Sequence, residues 1–183
     1  VNVFALTWED VHKAVIELWR IIVQKEEKVD VVVPIARGGC TIGHLLSDLL
    51  RAEMIPFRMS SYIGTSKIGR PVVVSPPCYN FHNKNVILVD DVCDTGDSLK
   101  HSKKMLELLG SSSIKTLVLV RKSSCRASLD YWLYENDSWI LFPWETKEVN
   151  QKLRNVVRDY LTRILGGKYA DIVLGKSEDA REN

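Results

Sequence analysis

VILVDDVCDTGDSLKHSKKML, from Val86 to Leu106, is the stretch on which the reading of the fold turns. It opens as a short apolar run and closes with an amphipathic helical pattern, so the chain passes from a buried strand into a helix. Between the two lie Asp90, Asp91 and Asp94, followed by Thr95, Gly96, Asp97 and Ser98. In open α/β sheets, ligands sit outside the carboxyl ends of the strands, which is where these residues fall. Backbone N–H groups at a helix start lack internal partners and carry partial positive charge. With Gly96 admitting a close backbone approach and Thr95 and Ser98 adding hydroxyls, Asp94–Ser98 reads as a phosphate cradle. It lacks the glycine spacing and lysine of a P-loop, which argues against ATP binding through that motif. Asp90 and Asp91 suit the hydroxyls of a ribose, or Mg²⁺ held through water. Successive strand residues point to opposite sides, so one of the two is expected to face the ligand. Asp94, in the loop, has the chemistry of a general base.

Outward from this stretch, the chain alternates between strand and helix signals. TWEDVHKAVIELWRIIVQ begins with Thr7 and Asp10 in a near capping-box spacing and repeats Val11, Val15, Leu18 and Ile22 at helical intervals. VDVVVPIA reads as a strand buried on both faces, CTIGHLLSDLLRAE as a helix and IPFRMSSY as a strand. IGTSKIGRP reads as a polar, turn-rich loop, VVVS as a short strand and PPCYNFHNKN as a further loop. IKTLVLVRK is another buried strand, LDYWLY and WILFPW are expected as late strands near a sheet edge, and EVNQKLRNVVRDYLTRIL as an amphipathic helix. Beyond Gly166 the periodicity fades, and a mobile tail is expected. Alternating strands and helices imply an α/β fold with a largely parallel central sheet flanked by helices.

The 183 residues suit one domain, and 45% hydrophobic content is ample for a core. Twenty-five basic and 23 acidic side chains leave a net charge of +2, which disfavours a protein that coats nucleic acid. Cys40, Cys78, Cys93 and Cys125 show neither C-x-x-C nor zinc-ligand spacing and are expected to be thiols in a reducing cytoplasm. VNVFALTWED turns acidic too early for a signal peptide, and no apolar run approaches a membrane span.

The acid-rich segment resembles the phosphoribosyl diphosphate (PRPP) fingerprint of the type I phosphoribosyltransferases. The resemblance extends over roughly residues 5 to 146 and is strongest to the 6-oxopurine branch, through TWEDVHK, VPIARGG, SSY, VDDVCDTGDS, RKSS and WILFPWE in the family's order. It implies one phosphoribosyltransferase domain over residues 1–165 with a small base-binding hood near 122–145, and a tail at 166–183. It also implies a homodimer or homotetramer that uses Mg²⁺, PRPP and a purine base, with no nucleic-acid or membrane partner.

Residue by residue, the resemblance implies that Asp94, Thr95, Gly96, Asp97 and Ser98 hold the 5′-phosphate, with Asp94 also near N7 of the purine as general base. Asp90 and Asp91 would serve the ribose hydroxyls, directly or through Mg²⁺ and water. Arg37, Gly38 and Gly39 match the pyrophosphate loop, where the family often has a cis peptide, here at Ala36–Arg37. Ser61, Tyr62, Lys67 and Arg70 belong to the segment matching a flexible loop that closes over the pyrophosphate. Lys122 matches the lysine that contacts the exocyclic oxygen, Trp139 the ring that stacks on the base, Ile140 a backbone contact to the base edge, and Glu145 an acid near the 2-position. Asp97 stands where relatives often have a small residue, and the loop before Lys84 departs in length and proline content. Competing readings are a non-catalytic sensor built on the same fold, a phosphoribosyltransferase for another base, and an acidic-site phosphotransferase of another α/β family.

Overall fold

In the computed structural model, residues 2–63, 66–145, 158–159, 161–163 and 166–167 are described, with 61–70 as backbone only. The elements run β1 (Val3–Ala5), α1 (Trp8–Gln24), β2 (Val31–Ala36), α2 (Gly38–Leu50), β3 (Glu53–Met54), β4 (Phe57–Ile63), β5 (Ser66–Ser75), β6 (Asn85–Cys93), α3 (Asp97–Leu108), β7 (Ser113–Arg121), β8 (Tyr134–Glu135) and β9 (Trp139–Leu141). Two compact units emerge: Glu9–Asp137, and Val1–Trp8 with Ser138–Asn183.

The larger unit is built on a sheet in the order β5-β4-β2-β6-β7-β8, with β3 beside β2. Every pairing in it is parallel except β4 with β5. Strands covered by helices on both faces must be apolar at every position rather than alternately. β2 meets that demand, with Val31 through Ile35 all buried. Val31, Val33 and Ile35 join Val86, Leu88 and Val118 in a core closed by Leu99 and Leu106 of α3. Pro34 points the other way, against Gly43 of α2, where an added Cβ would come within 2.8 Å of the proline ring. The α/β expectation therefore holds, with α2 and α3 on opposite faces. The sheet order reverses around β2, because the chain builds β4 on one side of it and β6 on the other. In open α/β sheets such a reversal is where ligands bind, here at the carboxyl ends of β2 and β6.

Three local expectations are corrected. IGTSKIGRP is not a loop over its later residues: the backbone from Ser66 belongs to β5, which absorbs VVVS and pairs antiparallel with β4 through two register shifts. The physical reason is the edge of β4, whose free N–H and C=O groups accept a partner strand regardless of the polar composition of that segment. LDYWLY supplies only Tyr134, the first of the two residues of β8, because Asp130 and Tyr131 turn their N–H groups onto the Thr116 carbonyl and the Asp130 carboxylate accepts the Thr116 N–H. WILFPW contributes β9, but β9 pairs in parallel with β1, a strand not anticipated, in the smaller unit. The C-terminal amphipathic helix and tail fall largely outside the described residues, of which 158–159 and 161–163 are helical. No helix among the described residues is long and apolar enough to cross a membrane.

Candidate active site

β2 ends at Ala36, and the Ala36–Arg37 peptide is cis, as the resemblance implied. Arg37 caps α2, which then starts with two glycines for steric reasons. A Cβ on Gly38 would collide with the Asp91 carboxylate, and one on Gly39 would lie 2.5 Å from the Val89 carbonyl. Only glycines allow the first turn of α2, with its unpaired N–H groups, to sit directly on the end of β6. The ARGG loop thus packs directly against the acidic pair.

Asp90 is half-buried and Asp91 is buried. The N–H of Asp91 donates to Asp90 Oδ1 at 3.0 Å, and the N–H of Val92 donates to Asp91 Oδ1 at 2.7 Å. Burial first, and then the charge of Asp91, push the Asp90 carboxyl well above its ordinary range. Burial and the Asp90 charge likewise raise the Cys40 thiol, which keeps it protonated rather than a thiolate ligand. Two crowded carboxylates gain from a shared cation. Among the described residues no group of three or more His, Cys, Asp or Glu forms a metal cage. Two neighbouring carboxylates are a donor set of the kind that holds a largely hydrated Mg²⁺, an ion bound through one or two carboxylates and substrate phosphates.

The loop from Asp94 to Ser98 leads into α3. Gly96 occupies the N-cap position with φ +85 and has no side chain to cap with; the neighbouring Thr95 hydroxyl oxygen accepts the Asp97 N–H at 3.4 Å. A Cβ at Gly96 would approach the Ala127 backbone nitrogen to 2.7 Å, so both conformation and space require glycine. The Thr95 hydroxyl donates to Asp97 Oδ2 at 2.9 Å, so the unusual acid at position 97 is engaged locally by its neighbour.

The segment after β7 runs alongside this loop. The N–H of Lys122 donates to the Cys93 carbonyl at 3.0 Å, and the N–H of Arg126 to the Thr95 carbonyl at 3.0 Å. Between these, the Ser124 hydroxyl meets Asp94 Oδ1 at 2.9 Å. Cys93 and Cys125 form a disulfide, which corrects the expectation of four thiols; Cys40 and Cys78 are free. The physical reason is proximity: the two parallel strand ends bring the Cα atoms to 5.6 Å, inside bridging range.

Lys122 lines a cleft of about 590 Å³ with Arg121, Ser123, Glu135, Asn136 and Asp137. That volume suits a small ligand. Asp137 Oδ1 accepts the Ser123 N–H at 2.8 Å, and this hydrogen bond, with a smaller contribution from the Lys122 ammonium, holds its carboxyl below the ordinary range. Arg121 pairs with Glu135 at 3.3 Å and lies over the Trp132 ring. Ser124 entered the sequence reading only as part of RKSS, and Glu135, Asn136 and Asp137 were not singled out, because their partners lie in segments distant along the chain.

In the smaller unit, Trp139 leads β9 with its side chain 41% exposed, while Ile140 is buried. The Trp139 N–H donates to the Asn2 carbonyl at 2.9 Å. Glu145 Oε2 accepts the Phe142 N–H at 3.4 Å, beside the stacked rings of Phe142 and Trp144. So Arg37, Gly38, Gly39, Asp90, Asp91, Asp94–Ser98 and Lys122 share the larger unit, and Trp139, Ile140 and Glu145 the smaller. Ser61 and Tyr62 lie on β4, Lys67 and Arg70 on β5, and their side chains are outside the description.

Known proteins resemble this chain. A xanthine-guanine phosphoribosyltransferase from Gluconobacter oxydans is 26% identical over 150 residues, covering 80% of this chain and 86% of the relative. A hypoxanthine-guanine phosphoribosyltransferase from Dictyostelium discoideum is 31% identical over 127 residues, 63% of this chain and 69% of the relative. The crystal structure of a purine phosphoribosyltransferase from Pyrococcus horikoshii superposes with a TM-score of 0.73 at 30% identity, covering 82% of this chain and 99% of that one. The pattern of the phosphoribosyl transferase domain matches residues 6–151, and with the glycine-seated loop, the acidic pair and the Asp94–Ser98 segment at the carboxyl ends of β2 and β6, the chain belongs to that family.

Proposed function

We propose that the protein is a purine salvage phosphoribosyltransferase that moves the 5-phosphoribosyl group from PRPP to a 6-oxopurine (hypoxanthine, guanine or xanthine). The products are pyrophosphate and a nucleoside 5′-monophosphate. The observation that supports the reading is the seating of Gly38 against the Asp91 carboxylate, so that the ARGG loop and the Asp90–Asp91 pair adjoin. The names of the relatives support the substrate class.

In this reading a purine ring nitrogen attacks C1 of the ribose as pyrophosphate leaves, and charge builds on the sugar and on the leaving oxygens. Arg37 and the N–H groups of Gly38 and Gly39 bind the leaving group, and Thr95, Gly96 and Ser98 hold the 5′-phosphate at the α3 terminus. Asp90 and Asp91 would serve the ribose hydroxyls, directly or through Mg²⁺ and water, and the ion they would hold would add positive charge beside the leaving pyrophosphate. Asp94 accepts the proton from N7 of the base. Lys122 donates to O6, Trp139 covers the ring, Ile140 meets the base edge through its backbone, and Glu145 lies near the 2-position. Ser61, Tyr62, Lys67 and Arg70 close over the pyrophosphate and exclude water. The reading takes residues 1–165 as the catalytic domain with 122–145 as hood, a homodimer or homotetramer, and a cytoplasmic location.

The test is a panel of purine and pyrimidine bases with PRPP and Mg²⁺, following pyrophosphate release. Release with 6-oxopurines is expected. Release with none of the bases by folded protein would favour a PRPP-binding sensor, and release with a different base would move the substrate assignment. Asp94→Asn should retain PRPP binding and lose about 10²-fold in kcat if it carries the proton.

A further inference from the structure

Asp94 lies on an exposed loop, yet its carboxylate is not left to sample rotamers. The segment 122–126 is tied to the phosphate loop on both sides of it, through Lys122 N–H to the Cys93 carbonyl and Arg126 N–H to the Thr95 carbonyl. The Cys93–Cys125 bond joins the same two segments covalently. Ser124 sits between these ties, with its hydroxyl 2.9 Å from Asp94 Oδ1 and 3.1 Å from the Asp94 carbonyl. A hydroxyl has one proton to give, and the charged carboxylate is the stronger acceptor. Donation to Oδ1 leaves Oδ2 free.

We propose that Ser124 is a positioning residue that fixes the Asp94 carboxylate, so that one oxygen is held by the hydroxyl and the other is presented to the substrate's proton. This rests on the reading of Asp94 as the proton acceptor. Ser124 touches neither base nor PRPP in this scheme; it acts on the rate through Asp94, because a misaimed acceptor loses the near-attack geometry. Serine and threonine share the required hydroxyl, and alanine lacks it.

The experiment measures single-turnover rates with PRPP and hypoxanthine, and PRPP affinity by calorimetry, for wild type, Ser124→Ala, Ser124→Thr, Asp94→Asn and the Ser124→Ala/Asp94→Asn double variant. Ser124→Ala is expected to slow the chemical step about 10-fold while PRPP affinity stays within about 2-fold, and Ser124→Thr to recover most of the rate. In the Asp94→Asn background the alanine substitution should add no further loss, since residues acting as a unit are not additive. A Ser124→Ala rate equal to wild type overturns the proposal. So does a loss that persists undiminished without Asp94, or one matched by a fall in PRPP affinity, which would mark Ser124 as a support of the phosphate loop. Wild type inactive with every base, or Asp94→Asn turning over at the wild-type rate, would strike the underlying reading of the site, and those two proteins reveal it before Ser124 is touched.

Discussion

Reducing the Cys93–Cys125 disulfide should weaken the fold by an amount set by the chain it closes. The two cysteines are 32 residues apart. Cross-linking removes loop-closure entropy from the unfolded chain, and for a loop of this length the chain-entropy relation gives about 12 cal/mol/K, or about 3.5–4 kcal/mol at 25 °C. For a protein of this size that corresponds to a fall in Tm of roughly 7–15 °C. The assay is thermal and denaturant unfolding of the oxidised protein with and without a thiol reductant, beside Cys125→Ser. The serine variant should unfold like reduced wild type and ignore the reductant, because Cys93 then has no partner. A thiol count on unfolded, unreduced wild type should find only Cys40 and Cys78. Four thiols in that count, or the same Tm with and without reductant, would refute the reasoning.

Two adjacent glycines should separate function from stability. Gly39→Ala meets the backbone carbonyl of Val89, which cannot swing aside, and should cost about 1–3 kcal/mol in denaturant unfolding. Gly38→Ala meets the Asp91 side chain instead and should weaken PRPP binding at least ~10-fold by calorimetry, with a smaller loss of stability; equal PRPP affinity would separate that loop from the site. Acid unfolding should report Asp30, whose carboxyl accepts the Asn85 backbone N–H and then the Asn85 side-chain amide, each at 2.8 Å, and is held below its ordinary range. Its contribution is complete above the unfolded value near pH ~4 and is lost as pH falls through the lower folded value. Asp30→Ala should therefore flatten the fall in Tm between pH ~5 and ~2, and an unchanged slope would remove Asp30 from that role. For the base pocket, hypoxanthine or guanine should exceed adenine at least ~10-fold in kcat/KM, because adenine would set its amino group against the Lys122 ammonium. Lys122→Ala should erode that gap by harming the oxopurines, and an unaltered ranking would place the pocket on other residues.

The passage from β6 into α3 was legible in the sequence because everything that specifies it is local. The apolar run sets a buried strand, Gly96 permits the positive φ that turns it, and N–H groups without a partner inside the helix follow from any helix start. The same holds for β2, and the α/β class follows from the alternation, whereas the start of α2 at Gly38 and its need for Gly38 and Gly39 come from Asp91 and Val89 on β6. The partners of these residues were another matter. Ser124 lies 30 positions from Asp94, and Asp137 lies 14 from the Ser123 N–H it accepts. Cys93 and Cys125 read as unrelated thiols until β6 and β7 stand side by side in parallel. β5 was hidden by its polar residues, since its pairing is supplied by the open edge of β4, and β1 by its shortness, since its partner β9 lies near the far end of the described chain. Strand register is a property of two strands at once. Periodicity and turn chemistry within one segment carry the elements and the kinds of group at their ends, whereas which hydroxyl, carboxylate or thiol meets which is decided only when the sheet sets its neighbours in place.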